Sequence, residues 1–290
     1  MRTATAAWLG GLAALAFAGA AAADPPMWVV RDKANDSELV LFGSIHVLPP
    51  GVNWISPELN RYVTQADDLW FELPIDPVSG AETSRLANAN GVLAPDESLF
   101  RMLGPADSAR LQKLAQQYDV SPALLDRLKP WLAEIALAAG AYRKAGADAA
   151  NGVEQSLSDL SKTARKAAFE TPAEQIGLLS GGAMEEQLAS LRETMDEMEQ
   201  EPDEYKVLLK AWLDGDVASL DREALAPLQK MLPDLFRRMV ADRNARWTKT
   251  LDERLKGHGR TVVVVGVGHL LGPGGLPARL RALGYSVTGP

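Results

Sequence analysis

The sequence predicts an α+β fold with α/β character: a central mixed β-sheet formed by the N- and C-terminal parts of the chain, with a long helical middle segment. Three observations carry that expectation. Short apolar strand patterns gather between Trp28 and Leu73. A second β-rich stretch, led by the β-branched run Thr261 to Val267 (TVVVVGV), closes the chain and suits the buried centre of a sheet. Between the two, from about Leu99 to Lys256, apolar residues recur at helical spacing.

Taken in order, residues 1–23 come first. They carry one charge, Arg2, in a run of Ala, Leu and Gly that ends in Ala21-Ala22-Ala23 before Asp24-Pro25-Pro26. This is the pattern of a signal peptide, expected to be cleaved after Ala23 and to deliver the chain to the periplasm or outside the cell. A membrane anchor is the competing reading, and the Ala- and Gly-rich composition weighs against it. Residues 24–290 are then expected to form one domain. Trp28 to Arg31 and Leu39 to Phe42 read as strands joined through the turn-forming Lys33-Ala34-Asn35-Asp36, a hairpin. Leu69 to Leu73 is a further short strand.

In the middle, Ser121-Pro122-Ala123 starts a helix. Thr171-Pro172-Ala173-Glu174 starts another, with a capping box and Pro at the first helical position. The acidic run from Glu185 to Glu204 is interleaved with Met184, Leu188, Leu191, Met195 and Met198, so it reads as a helix with one wet face. A short helix from Pro277 to Leu283 and a last strand from Gly284 to Thr288 complete the pattern.

Composition excludes several classes of partner. With 30 Lys and Arg against 38 Asp and Glu, the formal charge is −8, a poor surface for nucleic acid or anionic lipid. There are no cysteines, hence no crosslinks, no thiol nucleophile and no zinc-thiolate cage. No segment after the leader has the length of a membrane span, so no stable insertion is expected once the leader is removed.

The most informative feature is an internal similarity between the two ends. Leu39-Val40-Leu41-Phe42-Gly43-Ser44-Ile45-His46-Val47-Leu48-Pro49-Pro50-Gly51 aligns with Val262-Val263-Val264-Val265-Gly266-Val267-Gly268-His269-Leu270-Leu271-Gly272-Pro273-Gly274. Each is an apolar strand, then Gly-x-x-His, two apolar residues and a Pro/Gly turn. Only three histidines occur in the chain, and two of them fall at equivalent places. A buried strand that ends in Gly and then offers His delivers an imidazole to the edge where open sheets collect ligands. Two such ends side by side suit a divalent metal. Each histidine alone is as easily a core or loop residue; the pairing favours a site. His258, in Gly257-His258-Gly259, reads as a solvated loop residue.

A metal site needs a carboxylate as well. Glu72 ends the strand after the first histidine and should lie at the same sheet edge as His46; the bland alternative is a charge emerging into water. Two His and one Glu with open positions would be a catalytic set. Glu154, in Asn151-Gly152-Val153-Glu154-Gln155, is a second candidate, with an ordinary exposed Glu as its alternative. In the helix from about Leu235 to Lys256, Arg243 and Asn244 fall on or beside the apolar stripe of Phe236, Val240, Trp247 and Leu251. A guanidinium placed there must meet a carboxylate or a bound anion. It would hold Glu72 or Glu154, polarise a substrate carbonyl, or form a purely structural salt bridge.

These words occur in a set order: Gly43-Ser44-Ile45-His46-Val47, Phe71-Glu72-Leu73, Gly152-Val153-Glu154, Glu170-Thr171-Pro172-x-Glu174-Gln175, Arg243-Asn244-x-x-Trp247 and Gly266-Val267-Gly268-His269-Leu270. The set resembles the TraB/GumN family over nearly all of the chain beyond the leader. That family includes the animal TIKI proteins, described as metal-dependent proteases, and its fold is similar to erythromycin-esterase-like and ChaN-like proteins. The resemblance implies that His46, His269 and Glu72 are ligands or catalytic groups around a divalent ion, manganese or cobalt before zinc.

The expected function is a metal-dependent hydrolase acting on a peptide or exported protein, with His46, Glu72 and His269 as metal ligands and Glu72, Glu154, Arg243 and Asn244 as catalytic groups. The alternative is a non-catalytic periplasmic binding protein that sequesters a peptide, a metal or haem. A dinucleotide site at Gly266-Val267-Gly268 has too little chain after it for a βαβ unit. Neither a Gly-x-Ser-x-Gly elbow nor an HExxH helix is present.

Overall fold

The computed structural model describes residues 24–32 and 34–290. The leader in residues 1–23, and Lys33 of the expected turn, lie outside them. Six strands form one mixed sheet: β1 (Met27–Arg31), β2 (Ser37–Ser44), β3 (Asp68–Phe71), β4 (Arg165–Ala168), β5 (Gly259–Gly266) and β6 (Ser286–Thr288). Their order across the sheet is β4-β3-β5-β2-β1-β6. The expected hairpin is present, with β1 antiparallel to β2 and Met27 opposite Phe42. β5 runs parallel to both β2 and β3, and β4 parallel to β3. Four adjacent strands therefore end at one common edge.

The reason β5 takes the centre is its composition. Val262 to Val265 are fully buried, which a strand needs when both of its faces are covered. β2 matches it, with Leu39 to Phe42 buried. Around this sheet the main core gathers Phe42, Trp54 and Trp212, whose rings pack 5.7 to 6.3 Å apart. The Trp212 indole N–H donates to the Gly43 carbonyl at 2.7 Å and ties the helix Glu204–Leu213 to the end of β2.

The middle of the chain is helical, as its periodicity predicts, and adds a second apolar cluster. Leu111, Leu114, Leu125, Leu137, Leu191 and Met195 are buried there between Pro105–Gln117, Pro130–Lys144 and Met184–Gln200. The capping box at Thr171 and Glu174 forms with both of its hydrogen bonds. Two elements depart from the expectation. β4 lies inside the stretch read as helical: Arg165-Lys166-Ala167-Ala168 is an edge strand with two exposed charged residues followed by two half-buried alanines, so it has no apolar alternation to show. The helix Pro77–Gly91 buries only Gly91, leaving no stripe to detect. Among the described residues, no helix is long and apolar enough to cross a membrane.

Candidate functional site

The four parallel strands deliver four polar side chains to their shared C-terminal edge. Glu72 follows β3 directly, His46 and Glu170 lie two residues past β2 and β4, and His269 ends a short 3-10 turn after β5. Ser44 pairs with Gly266 across β2 and β5, which brings the two Gly-x-x-His segments side by side. The amide of Glu170 donates to the Glu72 carbonyl at 3.0 Å, extending the β3–β4 ladder one step into the site.

Gly266 is the floor of this cluster. A Cβ there would come within 3.2 Å of Glu72 Oε1, 3.9 Å of His269 Cδ2 and 4.0 Å of His46 Nε2. The absent side chain is what lets three donors converge on one small space. The Gly266 amide itself donates to Glu72 Oε1 at 2.7 Å.

His46 is held from behind. Its Nδ1 lies 2.8 Å from Glu154 Oε1, which also accepts the Ser44 hydroxyl at 2.6 Å. Glu154 reaches it because the helix Val153–Leu160 starts against the His46 backbone. A Cβ on Gly152 would fall 2.5 Å from the His46 carbonyl oxygen, so only glycine permits that approach. The Glu154 carboxylate lifts the His46 pKa to about 9, although 68% of the side chain is exposed and water screens part of the attraction. Burial works against ionisation of Glu154, but the His46 charge together with the hydrogen bonds from His46 and Ser44 outweighs it and holds this carboxyl below the ordinary range.

His269 is buried and held in the same way by a different partner. Asn244 Nδ2 donates to the carbonyls of His269 and Gly274, at 3.1 and 3.0 Å, so its Oδ1 faces the ring and accepts from Nδ1 at 2.7 Å. That assignment puts the proton on Nδ1 and the lone pair on Nε2. Burial, assisted by the nearby Arg243 and His46 charges, lowers the His269 pKa to about 4 in spite of Glu72.

Arg243 fills the interior between these groups. Its Nε donates to Glu170 Oε1 at 2.9 Å, and Nη2 to Glu170 Oε2 at 2.9 Å and Glu72 Oε2 at 2.5 Å. Its Nη1 donates to the Met239 carbonyl and to His269 Nε2, both at 3.1 Å. All five guanidinium hydrogens are used. Trp247 covers the group at 4.5 Å and lies 4.5 Å from the His269 ring. Burial disfavours the Arg243 charge, and Glu72 with Glu170 more than offset that. Burial likewise pushes Glu72 up; His269, Arg243, His46 and the Gly266 amide together bring it down to about 2.

The structure thus brings His46, Glu72, Glu154, Arg243, Asn244 and His269 to one strand edge as two hydrogen-bonded groups. His46 with Glu154, and Glu72 with Arg243, His269 and Asn244, face each other across Gly266. Arg243 meets Glu72, one of its two expected partners, and takes Glu170 as the other; Glu154 goes to His46 instead. Glu170, 5% exposed, is the residue that sequence reasoning left without a role. Its signal was its place after β4, a strand the pattern does not reveal. His258 stands at the opposite end of β5, beside Asp68 and Arg254, away from this cluster.

Among the described residues, no three His, Asp or Glu side chains stand as a ready metal-holding group. Arg243 sits on His269 Nε2 and Glu72 in this arrangement. The donor chemistry nonetheless fits a divalent ion. Two imidazoles are hydrogen-bonded at Nδ1, which turns Nε2 inward, and a carboxylate ionised at neutral pH lies beside the space left by Gly266.

A mixed α+β sheet whose parallel strands end in paired Gly-x-x-His segments, with a Glu and an Arg between them, defines a class of protein. The chain belongs to the TraB/PrgY/gumN family, which matches residues 26–289. It is similar to the Uncharacterized protein YbaP of Escherichia coli (strain K12), 27% identical over 243 residues, 83% of this chain and 87% of that relative. The YbaP of Shigella flexneri matches to the same extent. No solved structure matches the chain.

Proposed function

We propose that this chain is a metal-dependent hydrolase that cleaves a peptide or an exported protein, with His46, His269 and Glu72 holding the ion. The observation that supports this best is the pair of Nδ1 hydrogen bonds, His46 to Glu154 and His269 to Asn244, on either side of the space above Gly266. Carboxylate or amide partners on the far nitrogen are what fix ligating imidazoles in their working tautomer. When bound, a divalent ion would polarise the scissile carbonyl and lower the pKa of a water toward ~7.

The chain's own groups divide the remaining work. Glu72, held near pKa 2, is ionised throughout the physiological range, which suits a ligand and makes it a weak proton acceptor. Glu154 orients His46, and Asn244 orients His269. Arg243 and Asn244 spend their donors on Glu72, Glu170, His269 and backbone carbonyls, so both act as positioning residues and leave substrate contact to the exposed His46 side. The reaction breaks the C–N bond of an amide, with the hydroxyl of water going to the acyl carbon and its proton to the departing amine.

The test is direct. Purified chain is incubated with a defined peptide mixture and Mn²⁺ or Co²⁺, with and without chelator, and the products are read by mass spectrometry. Chelator-sensitive cleavage that is lost in His46→Ala and His269→Ala is the expected result. A peptide retained intact in a stable complex would instead support a sequestering protein using the same site.

A further inference from the structure

We propose that Arg243, clamped by Glu170, sets the affinity of this site for a divalent metal by competing with the ion for His269. The inference rests on the reading that His46, Glu72 and His269 bind metal. It goes beyond that reading by assigning a role to the cation already in the site.

The argument begins with a lone pair. With its proton on Nδ1, facing Asn244, the His269 ring has a single in-plane lone pair, on Nε2. Arg243 Nη1 occupies it at 3.1 Å. A metal and an N–H donor cannot share it, so ligation by His269 requires Nη1 to withdraw. No neighbouring donor caps the ligating atoms of the other two residues in this way. Glu72 retains free lone pairs on both carboxylate oxygens after accepting from Gly266 and Arg243. Among the described residues His46 Nε2 has no partner, its only contact being Nδ1 to Glu154.

Geometry explains how Arg243 stands its ground. Glu170 grips Nε and Nη2 as a two-pronged pair at 2.9 Å each, and Trp247 lies against the guanidinium at 4.5 Å. Arg246 adds a 3.3 Å contact on the outer side of Glu170. The plane of the fork is fixed by these contacts, so Nη1 is aimed at the His269 ring. Charge acts in the same direction. Arg243 already neutralises one of the two carboxylates it holds, the half-buried Glu72 and the buried Glu170, and its positive charge repels an incoming dication. A site with this arrangement is assembled before metal arrives, and it binds metal more weakly than the same three ligands would without the arginine.

Lysine in this place would change one thing above all. A single ammonium can answer the carboxylates, but it lacks the planar second arm that caps His269. The experiment measures Mn²⁺ and Co²⁺ dissociation constants by isothermal titration on metal-stripped full-length chain, for wild type, Arg243→Lys and Arg243→Gln. Release of a charge-assisted hydrogen bond should tighten binding about tenfold in either variant. Equal or weaker binding in a folded variant overturns the proposal and leaves the metal site standing. Absence of binding in wild type and variants overturns both. On the wild-type chain, Zn²⁺ serves as a diamagnetic probe: the ¹⁵N coupling between Arg243 Nη1 and His269 Nε2 should vanish at saturation. Its persistence overturns the proposal even if both variants fail to fold.

Discussion

Glu170 and Arg243 form a buried, two-pronged ion pair, with both distances at 2.9 Å and side-chain exposures of 3% and 4%. The pair is the hinge on which the rest of the site hangs, because the same guanidinium holds Glu72 and His269. Removing one partner of such a pair strands a charge out of water, at a cost of about 3–5 kcal/mol. Glu170→Ala should lose about that much in urea denaturation, with Glu72 recovering part of it by keeping its own contact to Arg243. A loss below about 1 kcal/mol would show that the pair does not anchor the site.

The two paired histidines should titrate far apart. In metal-free chain followed by ¹⁵N-histidine NMR, His46 is expected to keep its proton to about pH 9, and His269 to stay neutral down to about pH 4. The signs for stability follow. The folded pKa of His46 lies above its unfolded value of 6.5, so its contribution is complete below that pH and disappears as pH rises through 9. The folded pKa of His269 lies below 6.5, so the unfolded chain takes up the extra proton and stability falls as pH drops from 6.5 toward 4. Glu154→Gln should bring the His46 titration back toward 6.5 while leaving that of His269 in place.

Asn244 carries three hydrogen bonds in a fully enclosed position, 1% exposed. Asn244→Leu strips the partners from the His269 carbonyl and the His269 Nδ1–H, whereas the Gly274 carbonyl keeps Arg279 Nε. Each buried orphan costs about 1–3 kcal/mol, which predicts a clear drop in melting temperature. Loss of the group that orients a ligating imidazole should also weaken Mn²⁺ binding about 10–100-fold in isothermal titration. Unchanged affinity would separate Asn244 from the site.

Gly152→Val tests the approach of the Glu154 helix. The new Cβ meets the His46 carbonyl at 2.5 Å, so the helix start has to move away and Glu154 leaves His46. Overpacking of this kind costs about 1–3 kcal/mol, readable as a shift in the urea midpoint. The same protein should show His46 titrating near its ordinary value. A His46 pKa still close to 9 would mean that the close backbone approach is unrelated to the pairing.

Much of this arrangement is legible in the residues themselves, because the signals are strong where the chain is buried. The Val262–Val265 run and the apolar stretch of β2 announce central strands, and the repeated Gly-x-x-His announces that their ends match. Glu72 is readable as the charge that stops an apolar strand. Arg243 and Asn244 are readable as polar groups on an apolar helix face. What stays hidden is whatever lacks an apolar face. β4 is four residues of Arg, Lys and Ala at an exposed edge, and without it there is no reason to bring Glu170 to the strand ends. The partner choice of Arg243 is hidden for the same reason. Periodicity reports which residues are buried, and it is silent on which buried charges share a neighbour.

The position of β5 between β2 and β3 has a consequence for the order of assembly. Until Gly259–Gly266 has been made, the two strands that flank it have nothing to bridge them, and the contacts that close the gap join residues more than 190 positions apart, as Arg260 does with Glu38 and Asp67. Contacts of that range form late, because a long loop must be closed before any of them is gained. A nascent chain, or one clipped before its final forty residues, therefore holds one half of a divided centre. Whatever chemistry the completed edge performs is silent until synthesis and folding have both finished.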